Sequence, residues 1–178
     1  MSKDHLQLTA VTPSAPFTLH LTYADGEAFA VDLQDWIAAT QALKPLHDAA
    51  LFATARLGLG GRSVGWPAQV SGADDTAVEL DLGADKLRNL AVEQTGGIGH
   101  ERIWNWLHDT GLTLEQAAQA LGLSRRMLIY YRDGEKPIPR SVWLACLGWK
   151  AIRPTGPSLP RHIPSVREYA ALHAKNTE

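Results

Sequence analysis

Arg125 and Arg126 stand side by side just after Gly122-Leu123-Ser124, and theirs is the most specific chemistry in the chain. A guanidinium is a planar fork of N–H donors that keeps its charge, so it suits phosphates and the paired O6 and N7 acceptors of guanine. Two of them in succession need elements that present them together, and the flanking residues supply these. Thr113 can cap a helix with its hydroxyl, and Gln116 three residues later completes a capping box. Leu114, Ala117, Ala118 and Leu121 then form an apolar stripe at helical spacing, and Gly122 follows where a left-handed residue ends a helix. Ser124 opens a second helix running to Arg132. Met127, Leu128 and Tyr131 point inward there, leaving Arg125, Arg126, Ile129 and Tyr130 for the outside. Helices joined this closely cross steeply, and Ala117 and Ala118 are small enough for the crossing. The pattern predicts a helix-turn-helix whose second helix offers a basic first turn to a major groove.

Other chemistry is poorly supplied. The seven histidines (His5, His20, His47, His100, His108, His162 and His173) never fall three or four apart, and Cys146 is the only cysteine, so neither a metal site nor a disulfide framework is expected. There is no Gly-x-Ser-x-Gly elbow and no phosphate loop, and Gly58 to Ser63 reads as a hairpin turn. Asp81 and Asp85 read as a solvated strand face. No cofactor and no enzymatic activity are expected. No apolar run approaches the ~18 residues that span a bilayer, and the start lacks a secretory segment, so a soluble cytoplasmic protein with no membrane partner is expected.

Composition divides the 178 residues. Residues 1–95 carry 6 Lys/Arg against 12 Asp/Glu, net −6, and residues 96–178 carry 11 against 7, net +4. An acidic and a basic half suggest modules with different partners. Between them, Gln94-Thr95-Gly96-Gly97-Ile98-Gly99 reads as a linker or hinge. In the acidic half, Phe17 to Tyr23 and Ala28 to Leu33 alternate apolar and polar residues around Asp25-Gly26, which predicts a hairpin. Asp35 to Thr40 reads as a short helix. Phe52 to Leu57, Ser63 to Trp66 (ended by Pro67) and Val78 to Leu82 read as strands, and Ala84 to Gln94 as a helix. The expected class is α+β: a small antiparallel-sheet domain over 1–94, an all-α domain over 98–150, and a Pro-rich tail over 151–178 with a short helix from Ser165 to Ala174.

The order Asp25-Gly26, Val31-Asp32-Leu33, Leu43-Lys44-Pro45-Leu46, Phe52 and Gly65-Trp66-Pro67, followed by an acidic strand, resembles the small bacterial DUF2442 module over about residues 10–90. Ala68 to Ala77 departs from it as an insertion. The resemblance implies protein binding rather than catalysis, in company with helix-turn-helix domains and antitoxin-like gene pairs. From about Gly99 to Trp149 the chain resembles the Xre/lambda-repressor-like helix-turn-helix family, with Gly111, Gly122 and Gly134 aligning without a gap. Ile103 to Asp109 would be its first helix and Ser124–Arg132 the recognition helix. Pro139-Arg140-Ser141 would open the fourth, running to about Trp149. Arg132 departs from a frequent glutamate.

The second resemblance implies double-stranded DNA as partner. It places Arg125, Arg126 and Tyr130 at base-reading positions, Thr113 and Ser124 at helix starts near phosphates, and Lys136 and Arg140 toward the backbone or minor groove. A transcriptional regulator follows, most concretely an antitoxin-like repressor of its own operon, with the acidic module binding a protein or aiding dimerisation. Six tryptophans are a surplus, and four of them fall in the helical half. With Trp104, Trp143 and Trp149 filling the core, Trp106, Leu144 and Leu147 are left over for the tail or for a second copy, which favours a homodimer. The competing expectation is a protein-interaction adaptor that does not touch DNA, using exposed Ile129, Tyr130, Trp106 and Leu144.

Overall fold

The computed structural model describes residues 4–71 and 77–152. Two three-stranded antiparallel sheets and a set of mostly short helices make the fold α+β. The first sheet has the order β1 (Leu8–Ser14), β2 (Thr18–Tyr23), β3 (Ala28–Asp32). The hairpin expected at Asp25-Gly26 sets its register, with Leu19 opposite Val31 and Leu21 opposite Phe29. This buries Leu19, Leu21 and Val31 on one face, as alternation requires. β1 was not anticipated, and its register shifts between Leu8 and Ala10.

After β3 come α1 (Gln34–Ala39), a 3₁₀ turn over Gln41–His47 and α2 (Ala49–Phe52). The second sheet follows in the order β4 (Arg56–Leu57), β5 (Ser63–Ser71), β6 (Ala77–Gly83). Two expectations are corrected here. Phe52 to Leu57 is not one strand, because the Asp48 side chain accepts the Ala50 N–H at 2.9 Å and starts a helix that delivers Phe52 to the core. Pro67 does not end β5, because it lies in the register shift between Trp66 and Gln69, where the ladder needs no donor from it. Gly58 to Ser63 does turn a hairpin, with Leu57 opposite Val64. Buried Trp66 donates its indole N–H to the Phe52 carbonyl at 3.1 Å, and Tyr23 donates its hydroxyl to the Ala84 carbonyl at 2.8 Å. Burial of that phenol pushes its pKa above the ordinary range.

α3 (Ala84–Gln94) closes this half, burying Leu87 and Ala91 while the Gln94 amide exchanges two hydrogen bonds with the Asp32 backbone. The chain then enters α4 (Glu101–Thr110), α5 (Leu114–Leu121), α6 (Arg125–Arg132) and α7 (Arg140–Ile152). Their buried residues, from Ile103 to Trp149, form a cluster separate from the one running from Leu8 to Ala91.

The segment between these clusters is not the loose linker its glycines suggest. The N–H groups of Thr95, Gly96 and Gly97 bond back to the carbonyls of Ala91, Glu93 and Val92. Gly99 lies so close to Asn89 that an added Cβ would fall 2.2 Å from Asn89 Oδ1. That oxygen, on a buried side chain, accepts the Glu101 N–H at 3.0 Å. Lys86 pairs with Glu101, Arg102 with Glu93 at 2.6 Å, and His5 Nε2 donates to the Asp133 carbonyl at 2.9 Å. Glycine is present for close packing here, and the two halves are bound together. α7 takes in the first two residues of the expected tail, and the rest of that tail with its expected helix lies outside the described residues, as does the inner part of the Ala68 to Ala77 insertion. No helix among the described residues is long and apolar enough to cross a membrane.

Candidate nucleic-acid interface

The pair α5–α6 forms as its residues dictate. Thr113 Oγ1 accepts the Gln116 N–H at 3.3 Å and Gln116 Oε1 accepts the Thr113 N–H at 3.0 Å, closing the capping box. Gly122 ends α5 with φ 67°, a left-handed conformation that a side chain would resist. Two residues later Ser124 Oγ accepts the Met127 N–H at 3.2 Å and starts α6. Ala117, Ala118 and Ala120 are buried on α5, and Leu128 and Tyr131 on α6, so small side chains meet large ones across the contact. Leu114, Leu121 and Met127 pack at the edge of this cluster.

The outward face of α6 carries the predicted side chains in two arrangements. Arg126 Nε donates to Tyr130 Oη at 2.5 Å, and its guanidinium carbon lies 5.3 Å from the Tyr130 ring centroid. Lys136 Nζ sits 5.4 Å from the same centroid. Arg126, Tyr130 and Lys136 are therefore one cluster. Arg125 is apart from it, with Nε 3.9 Å from Glu115 Oε2, and both partners are largely exposed. An exposed pair of that length contributes at most a fraction of ~1 kcal/mol, so Arg125 is available to an anion. Thr113 and Ser124 sit at the two helix starts with their hydroxyls occupied as caps. Arg140 is exposed on the first turn of α7, and no hydrogen bond, ion pair or ring contact among the described residues joins it to the others.

Glu115 was missed in the sequence, although its place on the first turn of α5 gave the signal. Arg132 proves to be structural: it holds Asp133 at 2.7 and 3.0 Å and lies 5.0 Å over the Trp104 ring. The tryptophans are reassigned as well. Trp106 is buried and donates to the Cys146 carbonyl at 2.8 Å, whereas Trp104 is 51% exposed. Trp143 is half-buried beside Arg102. Exposed Ile129, Tyr130 and Trp106 had supported an adaptor, but Trp106 is now interior and the other two are half-buried. Leu144 and Leu147 remain exposed. Burial pushes the Cys146 thiol up to about 12, so it is not a nucleophile at neutral pH. Among the described residues no group of three or more His, Cys, Asp or Glu side chains could hold a metal ion.

No family model and no curated protein matches this chain. A crystal structure from Nitrosomonas europaea ATCC 19718, described as that of a "Putative DNA Binding Protein", does match. The two sequences are 38% identical, the alignment covers 89% of this chain and 96% of the other, and the TM-score is 0.70. The chain belongs to the family of that Nitrosomonas protein. Coverage this wide takes in residues of both buried clusters, so the family is defined by the sheets and the helices together.

Proposed function

We propose that the chain is a sequence-specific DNA-binding transcriptional regulator. α5 and α6 act as a helix-turn-helix of the Xre/lambda-repressor-like kind, and α6 is the recognition helix that enters the major groove. The observation that carries this reading is the exposure of Arg125 and Arg126 together on the first turn of α6, a helix whose opposite face is packed on the alanines of α5. The description of the Nitrosomonas relative supports it. Residues 98–150 would make up this domain and residues 1–94 a DUF2442-like module that binds a protein partner. An antitoxin-like repressor of its own operon, without enzymatic activity and acting in the cytoplasm, is the concrete form. A homodimer reading two half-sites about one helical turn apart would cover Leu144 and Leu147.

Gel shift on duplex DNA from the intergenic region upstream of the gene tests the proposal. A retarded complex is expected whose affinity falls steeply with salt, because phosphate contacts release counterions. Replacing Arg125 and Arg126 together by alanine should weaken it at least about tenfold. Equal affinity of the double variant and the wild type rejects α6 as the recognition helix. Exposed Trp104, Leu144 and Leu147 favour a second reading, a protein-interaction adaptor. A stable protein complex broken by Leu144→Asp/Leu147→Asp, with no retarded duplex, would decide for it.

A further inference from the structure

We propose that Tyr130 is a positioning residue and not a base reader: it orients Arg126 so that the outer fork of the guanidinium meets a guanine edge. This rests on the DNA-binding reading above and names the base that α6 selects. Arg126 and Tyr130 are four residues apart and share one face of the helix. The phenol oxygen takes the Nε–H of Arg126, and the Arg126 guanidinium carbon and Lys136 Nζ lie 5.3 and 5.4 Å from the ring centroid. The Tyr130 backbone is fixed at the end of α6, where its carbonyl accepts the N–H groups of Glu135 at 2.9 Å and Lys136 at 3.3 Å. That backbone link keeps Lys136 beside the ring.

The consequence for Arg126 is geometric. A guanidinium can address a two-acceptor edge side-on, through Nε and one Nη, or end-on through both Nη groups. With Nε given to Tyr130, only the end-on pair is left, and O6 and N7 of guanine are the base acceptors that match it. Arg126 is also uncommitted in charge. Arg125 and Arg132 each meet a carboxylate, whereas no carboxylate oxygen lies within 4 Å of Arg126 among the described residues. A side chain already oriented and unpaired loses little rotamer freedom on binding, so its hydrogen bonds are expressed as discrimination.

Selection of binding sites from a randomised duplex library tests the division of labour, using wild type, Arg126→Ala and Tyr130→Phe, each checked for a native melting transition. Wild type should enrich sites with guanine at a fixed position. Arg126→Ala should lose that preference, a change of about ten- to a hundredfold, and leave the remaining positions intact. Tyr130→Phe keeps the ring and removes only the oxygen, so guanine preference at the same position should fall about three- to tenfold with the salt dependence unchanged. Replacing that guanine by 7-deazaguanine should weaken wild type and leave Arg126→Ala unaffected. The proposal is overturned if Tyr130→Phe alters a different position, if it behaves as wild type, or if Arg126→Ala retains the guanine. If wild type enriches no sequence at all, the DNA-binding reading falls first and this inference with it.

Discussion

Gly99→Ala should destabilise the whole chain, because the added methyl has nowhere to go. Its Cβ would lie 2.2 Å from Asn89 Oδ1, 2.7 Å from Cγ and 2.9 Å from Nδ2. Asn89 is only 5% exposed, so it cannot swing into solvent without opening the junction. Moving it also strips the Glu101 N–H of its acceptor at the start of α4. Overpacking of this kind costs about 1–3 kcal/mol, and the stranded donor about 1–3 kcal/mol more. A combined loss of roughly 2–6 kcal/mol lowers the melting temperature of a chain this size by about 4–24 °C. Thermal unfolding followed by circular dichroism measures it. Gly96→Ala is the control, since an added Cβ there meets nothing within 4 Å and only the positive φ of 83° is strained. The control should lose about 1 kcal/mol. If Gly99→Ala melts within error of wild type, the segment is a loose linker after all and the halves are not packed together.

Three further outcomes follow from the same geometry. Thr113→Ala and Ser124→Ala should each cost about 1 kcal/mol in urea unfolding, with Thr113→Ser close to neutral, because the lost interaction is a cap and not packing. Burial holds the His100 imidazole below its ordinary 6.5, although Glu101, Asp85 and Asp133 pull it upward and His5 opposes them. The unfolded chain therefore takes up the proton first as pH falls. Stability should be flat above about 6.5 and decline below it, and His100→Gln should reduce the difference between urea midpoints at pH 7.5 and 5.5. Cys146, buried with its thiol raised to about 12, should react with a thiol reagent only on unfolding, and rapid native labelling would contradict its placement in the core.

The elements that were legible in the sequence are those whose signals are local. Asp25-Gly26 announced its hairpin, and the Thr113–Gln116 box, Gly122 and Ser124 announced the ends of α5 and α6. What could not be read depended on distant partners. β1 has weak alternation and contains Pro13, and it is a strand because β2 offers it an edge. Pro67 is tolerated because β6 shifts register beside it. Trp104 and Trp106 lie two residues apart on one helix, and only the position of Cys146 on α7 decides which is buried. The glycines of 96–99 have the composition of a linker, and only Val92 and Asn89 reveal that Gly97 and Gly99 are contact points. At the site, the residue types were legible, but the stacking of Arg126 and Lys136 on Tyr130 and the leaning of Arg125 on Glu115 needed side-chain positions.

The central claim is that the first turn of α6 meets DNA. Titrating a double-stranded oligonucleotide into isotope-labelled protein and following backbone amide resonances tests it most directly. The account predicts perturbations concentrated at Thr113, from Ser124 to Tyr130, and at Lys136 and Arg140. They should weaken as salt is raised and be absent from β2 and β3. Perturbations confined to the sheets, or none at low salt, would contradict it.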